Sequence, residues 1–199
     1  VLGSCTEEQN ERALVIDQIL EEREAPVLAG ERVLKKRKYH DKIEGVLTVP
    51  GAIEIKVKYF YYRQKKLPRG FRAPVLFIYS GIHGISPLEE HLGKYFTKKG
   101  ISVVVSDYID YDHIYDLNYY LLAMINTIRA NMALTDHFST LPEVDSNRLG
   151  VMGMSYGGIR ALYHISIDPR LKAAILMVTG SPIEKVLAKS DLDFVRDLR

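Results

Sequence analysis

Five consecutive residues, Gly153-Met154-Ser155-Tyr156-Gly157, fit the pattern G-x-S-x-G and could do chemistry. In this pattern the serine lies on a sharp turn from a strand into a helix, where its hydroxyl can act as a nucleophile. Glycines at both ends leave no side chain to clash where strand and helix crowd together. We therefore predict that Ser155 is a nucleophile supported by Gly153 and Gly157. The alternative is a glycine-rich turn that happens to contain a serine.

A serine hydroxyl becomes a useful nucleophile only when a base accepts its proton and hydrogen-bond donors hold the resulting oxyanion. In the arrangement that G-x-S-x-G predicts, one donor is the backbone N–H of the next residue, here Tyr156. The other donor comes from the loop after an earlier strand. The matching loop is Ser80-Gly-Ile-His-Gly-Ile85, which follows an apolar run and is rich in glycine.

Two longer stretches resemble a known fold. PVLFIYSGIHG, which begins at Pro74, and DSNRLGVMGMSYGGIRALYHISIDPRLKAAILMVTG, which ends at Gly180, resemble the α/β-hydrolase fold. The S-Y-G-G within the second stretch resembles the dienelactone-hydrolase-like and serine-peptidase-like branches. The resemblance implies a serine hydrolase that cleaves a carboxylic ester, thioester or amide of a small-molecule acyl substrate, through an acyl-enzyme on Ser155. It implies no cofactor.

The loop departs from the family pattern at one position, because Ser80 stands where a histidine usually precedes the glycine. In this register Gly81 directly follows the strand, and the second donor is the N–H of Ile82. A competing register uses His83-Gly84 and moves the donor to Ile85. Backbone donors tolerate almost any side chain, so either register leaves the mechanism intact.

The base is harder to place than the nucleophile. In this fold the acid and then the histidine follow the serine, and the only histidine after Ser155 is His164. On a continuous helix it would lie roughly 13 Å from the serine, whereas proton transfer needs about 3 Å. His83 would approach from the oxyanion side, and Asp107 is expected to be a structural or pocket residue. We therefore expect a fragment of an active hydrolase whose histidine and acid lie beyond residue 199; the alternative is a non-catalytic binding or scaffold protein.

The elements that position these residues follow from the apolar patterns. The run 45–49 and the alternating run 53–62, joined by Pro50-Gly51, predict an antiparallel hairpin with one face in water. Short, nearly continuous apolar runs separated by helical segments predict a parallel sheet covered by helices. These runs are 74–79, 101–105, 148–152 and 173–178. The predicted fold class is therefore α/β, an α/β-hydrolase core whose last strands are expected to be missing.

Helical periodicity predicts helices at 7–25, at 115–134 and directly after the serine turn, the last ending at Asp168-Pro169. Apolar stripes are expected to face the core. They are Leu117, Leu121, Ile125, Ile128 and Met132 in the second helix, and Ile159, Leu162, Tyr163 and Ile167 in the third. We expect a tether and helix over 1–30 and the hydrolase core over 31–199, in which 182–199 begins a cap.

The composition narrows the class of protein. A chain of 199 residues with 47% hydrophobic and 26% charged residues is typical of one globular domain. A single cysteine excludes an internal disulfide, and the six histidines lack metal-ligand spacing, so no metal site is predicted. The net charge is +2, but residues 31–72 hold 13 Lys and Arg against four Asp and Glu. We interpret this segment as solvated strands and predict no nucleic-acid partner; binding to anionic lipid or nucleic acid is the alternative.

Leu2-Gly-Ser-Cys5 resembles a bacterial lipobox, in which the cysteine is acylated and becomes the mature N-terminus. The resemblance predicts anchoring to a membrane of the bacterial cell envelope through Cys5. The alternative is an ordinary terminal cysteine in a cytoplasmic enzyme.

Overall fold

The computed structural model of the chain describes residues 24–51, 53–81, 83–106 and 120–177. Some sequence predictions fall on residues outside these ranges. They are the acylated Cys5, the donor Ile82, Asp107, the cap at 182–199 and nearly all of the helix at 7–25. None of the described helices is long and apolar enough to cross a membrane.

The described residues contain seven strands: β1 Val27–Lys36, β2 His40–Val49, β3 Ile55–Gln64, β4 Ala73–Tyr79, β5 Ser102–Ser106, β6 Val144–Met154 and β7 Leu171–Met177. They form one sheet in the order β1-β2-β3-β5-β4-β6-β7. The first four strands in this order, β1, β2, β3 and β5, pair antiparallel with one another. The strands β5, β4, β6 and β7 pair parallel with one another. This confirms the prediction of an antiparallel hairpin that leads into a parallel sheet.

The hairpin consists of β2 and β3, with the predicted side chains turned inward. Ile55, Val57, Tyr59 and Tyr61 are buried in the core. The strand begins two residues later than predicted, and Ile53 before it is exposed. The period of two therefore identified the correct face of β3.

The sequence patterns do not predict β1. All ten of its residues are exposed, so it lacks the alternation that marks a half-buried strand. It pairs with β2, and the hydroxyl of Tyr59 in β3 donates to Glu31 of β1. The phenol crosses β2 at Gly45, where a Cβ would lie 2.2 Å from Tyr59 Cζ. β1 also continues across residue 30, the boundary predicted between tether and core.

Three helices are described: α1 Pro87–Lys98, α2 Tyr120–Ser139 and α3 Tyr156–Ile167. α1 begins with a capping box, in which Ser86 accepts from the N–H of Leu88 and Glu89 accepts from the N–H of Ser86. α3 is capped by Asp168 and ends before Pro169, as predicted.

The helices cover both faces of the sheet. α2 and α3 pack over the larger apolar cluster, which contains Phe77, Phe138 and Val151. α1 packs on the opposite face, against Tyr62. A Cβ at Gly93 of α1 would lie 2.7 Å from Tyr62 Cε2, so the glycine lets helix and strand approach closely.

The apolar stripe predicted for α2 is correct only in part. Met132 is buried as predicted, but Ile125 and Ile128 are half-buried. Leu117 and the side chain of Leu121 lie outside the described residues. The fully buried positions also include small and polar residues, namely Ala123, Asn126, Thr127, Ala130, Asn131 and Thr135.

The stripe predicted for α3 is wrong. Ile159, Leu162, Tyr163 and Ile167 are half-buried. The buried positions are instead Gly157, Gly158, Arg160, Ala161 and His164. Arg160 and His164 face inward because they find polar partners there, which removes much of the cost of burying them.

Candidate active site

Ser155 lies at the turn between β6 and α3, and its backbone is strained. Its φ of 55° and ψ of −125° make it the only residue other than glycine with positive φ in the described part of the chain. Its N–H donates to the carbonyl of Met177 in β7 over 3.0 Å, and its own carbonyl accepts from the N–H of Gly158 over 2.9 Å. These bonds hold the turn, while Ser155 itself is exposed. The strand, turn and helix predicted around the serine are therefore present.

Gly153 and Gly157 have no room for side chains. A Cβ at Gly153 would lie 2.0 Å from the carbonyl oxygen of Gly157, and a Cβ at Gly157 would lie 2.1 Å from the carbonyl oxygen of Tyr79. Both obstacles are backbone atoms, which cannot rotate away. The two glycines therefore allow the first turn of α3 to lie directly on the ends of β6 and β4.

The loop after β4 lies beside this turn. Ser80 is fully buried, and its N–H donates to the carbonyl of Ser106 over 3.2 Å. The N–H of Gly84 donates to the carbonyl of Gly81 over 3.1 Å, which closes the loop. A Cβ at Gly81 would lie 3.8 Å from the carbonyl oxygen of Met154, the residue before Ser155. The loop thus lies next to the turn that holds Ser155, and the role of Ile82 as the second oxyanion donor stays a prediction.

Tyr156 is the first residue of α3. Backbone N–H groups of a first helical turn point out of the helix end, where the helix dipole favours negative charge. The phenol hydroxyl of Tyr156 donates to the sulfur of Met124 over 3.5 Å, which ties this side chain to α2. The backbone at position 156 therefore begins a helix, and the role of its N–H as an oxyanion donor stays a prediction.

His164 is committed to the protein core. It is fully buried, with its Nδ1 2.6 Å from the hydroxyl of Tyr79 and its Nε2 3.2 Å from Thr135 Oγ1. Burial lowers the pKa of its imidazole. His83, by contrast, is exposed on the loop after β4, the side of the turn on which the oxyanion donors are expected.

Arg160 shares the buried face of α3 with His164. It is 1% exposed, and its guanidinium carbon lies 4.7 Å from the ring centroid of Tyr79. Its Nη2 donates to Asn131 Oδ1 in α2 over 3.1 Å. The hydrophobic pattern does not predict a buried Arg160, although Arg160, His164 and Asp168 recur every fourth position. That spacing places side chains on one helical face and could have indicated a buried polar stripe.

Asp168 closes the same polar stripe at the end of α3. Its two carboxylate oxygens accept from Nε and Nη2 of Arg170 over 2.8 and 2.7 Å. Burial raises the pKa of the Asp168 carboxyl, but hydrogen bonds from His164 and Arg170 outweigh it and hold that pKa far below its usual range. Asp168 is therefore an ionised, fully paired acceptor.

The described ranges contain no group of three or more His, Cys, Asp or Glu side chains that could hold a metal ion. The carboxylates of Asp136 and Asp168 both bind Arg170, over 2.7 Å each. They are thus occupied by a cation of the chain itself.

No protein-family model matches the chain, and no curated protein has a matching sequence. Its structure is similar to solved structures. Acetyl xylan esterase 1 from Thermoanaerobacterium sp. JW/SL YS485 has a TM-score of 0.73 and 18% identity, over 98% of this chain and 66% of that protein. The acetyl xylan esterase from Paenibacillus sp. R4 has a TM-score of 0.70 and 18% identity, over 98% of this chain and 67% of that protein.

A third similar structure is a CE15 glucuronoyl esterase from Teredinibacter turnerae T7901, with a TM-score of 0.57 and 14% identity, over 91% of this chain and 54% of that protein. The chain thus spans about two thirds or less of the length of these proteins. At such low identities the likeness concerns the path of the backbone, and it agrees with the predicted strands and serine turn. We conclude that the chain has the α/β-hydrolase fold.

Proposed function

We propose that the chain carries the nucleophile of a serine hydrolase that cleaves carboxylic esters. The observation that carries this proposal is the backbone of Ser155. An exposed serine occupies a turn with positive φ, where glycine would fit without strain. Residues held in such sparsely populated conformations cluster at active sites.

In the proposed reaction, Oγ of Ser155 attacks the acyl carbon of the ester while its proton passes to a base. The carbonyl electron pair moves onto oxygen, and this oxyanion accepts hydrogen bonds from the N–H groups of Tyr156 and Ile82. Collapse of the intermediate expels the alcohol, which takes the proton from the base, and leaves the acyl group on Ser155. Water then attacks the acyl-enzyme in the same way and releases the acid.

We assign the base and its acid to positions outside the described residues. His164 is buried among Tyr79 and Thr135, and His83 is exposed on the loop to which we assign the second oxyanion donor. The chain covers 54% to 67% of the three esterases compared above. An esterase of their length therefore has further residues, outside the part that this chain covers, to supply the base and the acid.

An ester of a carbohydrate is the substrate class that we propose. Two of the similar structures are acetyl xylan esterases and the third is a glucuronoyl esterase. Their names support esters over thioesters and amides. An acetylated xylo-oligosaccharide is therefore the first substrate to test.

The test is covalent labelling of the full-length protein with a fluorophosphonate probe, followed by assay on the acetylated oligosaccharide. We expect labelling and acetate release in the parent and neither in Ser155→Ala. Ser166→Ala is the matched control, because Ser166 is an exposed serine of α3, the helix that follows Ser155, and its Oγ donates to the carbonyl of Leu162. A parent that binds the oligosaccharide without labelling or hydrolysis would instead be a non-catalytic binding protein.

A further inference from the structure

Tyr79 contacts α3 over two helical turns. Its carbonyl oxygen lies against Gly157, its ring lies against Arg160, and its hydroxyl is 2.6 Å from Nδ1 of His164. The first and last of these contacts are seven positions apart in the helix, roughly 10 Å along the axis. Because all three contacts lie on one helical face, Tyr79 restrains both the rotation and the sliding of α3 relative to β4.

The imidazole of His164 also has partners at its other nitrogen. Its Nε2 lies 3.2 Å from Thr135 Oγ1 and 3.4 Å from Asp168 Oδ2. Since ionised Asp168 can only accept, Nε2 carries the proton and Nδ1 accepts from the phenol of Tyr79. Burial raises the pKa of that phenol and lowers the pKa of the imidazole, so both groups are neutral.

Apolar side chains alone would suffice to pack α3 on the sheet. Burying charged and polar groups costs desolvation, and replacing them by well-packed apolar residues is often neutral or stabilising. Directional hydrogen bonds also fix the position of one element relative to another. Here they join the helix that begins after Ser155 to the strand that leads into the loop at 80–84.

We propose that Tyr79, through its hydrogen bond to His164, is a positioning residue that sets the spacing between the N–H of Tyr156 and the loop after β4. The inference rests on the proposed function, because these two elements supply the oxyanion donors. Tyr79 is fully buried, so we give it a positioning role and no contact with substrate. Tyr79 can set this spacing because the loop continues from its backbone, while the side chain of Tyr79 holds the helix that begins at Tyr156.

The first test is Tyr79→Phe in the full-length protein, which removes only the hydroxyl. We expect kcat for ester hydrolysis to fall about 10- to 100-fold while KM changes less than about threefold, because displaced oxyanion donors weaken the transition state more than substrate binding. The control is Tyr62→Phe, since Tyr62 is equally buried and its hydroxyl has no hydrogen-bond partner among the described residues. All variants are assayed at a temperature at which their melting curves show them folded.

A second variant separates positioning from stability. Tyr79→Phe combined with His164→Leu removes both members of the Tyr79–His164 hydrogen bond. Thr135 keeps its bond to the carbonyl of Asn131 and Asp168 keeps its bonds from Arg170, so the melting temperature should recover relative to Tyr79→Phe alone. We expect kcat to stay low. If Tyr79→Phe does not fold, the double variant is compared directly with Tyr62→Phe, because it lacks the same hydrogen bond, and the same selective loss of kcat is expected.

Fluorophosphonate labelling of the parent distinguishes the two possible failures. A parent that is neither labelled nor active overturns the proposed function and this inference together. A labelled, active parent overturns only the positioning role of Tyr79 in two cases. In one, kcat of Tyr79→Phe stays within about threefold of the Tyr62→Phe control, a change too small for a lost oxyanion donor. In the other, kcat recovers with the melting temperature in the double variant.

Discussion

A side chain on Gly157 would meet the carbonyl oxygen of Tyr79 at 2.1 Å, so the first turn of α3 rests on the end of β4. The contact is between two stretches of backbone and cannot be relieved by a change of rotamer. The turn that presents Ser155 and the strand that leads to the loop after β4 therefore form one rigid unit.

This contact predicts that Gly157→Ala lowers the free energy of unfolding by about 3 kcal/mol or more, since main chain must move to admit one methyl group. Activity should fall with it. Gly30→Ala in β1 is the matched control, because no heavy atom lies within 4 Å of its added Cβ. Urea unfolding measures both, and an unchanged midpoint for Gly157→Ala would contradict the close approach.

The strain at Ser155 predicts different stabilities for two inactive variants. Ser155→Ala keeps a Cβ and hence the strain, so its free energy of unfolding should stay near that of the parent. Ser155→Gly should be more stable by about 1 kcal/mol, since relief of the backbone exceeds the added entropy of glycine in the unfolded chain. Chemical denaturation compares the two. Equal stabilities would show that the positive φ is not strained.

Because His164 is buried, we predict that the folded protein loses stability on mild acidification. Its pKa in the folded state is lowered, chiefly by burial, whereas an unfolded histidine has a pKa of about 6.5. Below that pH the unfolded chain binds more protons, so the free energy of unfolding decreases as pH falls. Between about pH 7.5 and 5.5, the parent should lose stability more steeply than the variant that combines Tyr79→Phe with His164→Leu. Parallel pH profiles would refute this assignment; His40 and His137, whose pKa values burial also lowers, account for the slope that remains.

Because β7 exposes apolar side chains at the edge of the described sheet, we predict that a polypeptide consisting of residues 1–199 alone self-associates. Ile175 and Leu176 are 42% and 41% exposed on an edge strand of the described sheet. Replacing both by lysine should shift this polypeptide toward the monomer in sedimentation or light scattering. Leu88→Lys changes an equally exposed leucine of α1 and should have no effect. A monodisperse preparation of residues 1–199 without these substitutions would contradict the prediction.

The lipobox-like sequence gives a prediction about location. If Cys5 is acylated, the full-length protein expressed in a bacterial host should sediment with membranes, because acyl chains contribute about 0.8 kcal/mol for each buried CH₂. The Cys5→Ser variant should then be found in the soluble fraction. Identical partitioning of both proteins would refute acylation.

The strands near the site could be predicted because their chemistry is local. Buried parallel strands are short runs of apolar residues, and β4, β5 and β7 lie within one or two residues of the predicted positions. The serine turn has its own sequence pattern, which also fixes the start of α3. β1 could not be predicted in this way, because its pairing is made by backbone groups and its side chains carry no alternation.

The polar stripe of α3 depends on partners far away in sequence. His164 bonds to a tyrosine 85 residues earlier, and Arg160 to an asparagine 29 residues earlier. A prediction from hydrophobic periodicity assumes that polar side chains face water, so it placed the apolar residues of α3 on the buried face. Only the folded sheet shows that Tyr79 and Asn131 are available to satisfy the inward groups.

The strand order divides the sheet into a part that can assemble early and a part that must assemble late. β1, β2 and β3 pair with their neighbours along the chain, which closes short loops. β4 pairs with β5 and β6, and Tyr79 meets Gly153 across the sheet, which closes long loops and is slow. During synthesis from the N-terminus, the antiparallel strands are complete before residue 155 is added. We therefore expect the nucleophile to reach its strained conformation late in folding, when β6 docks on β4.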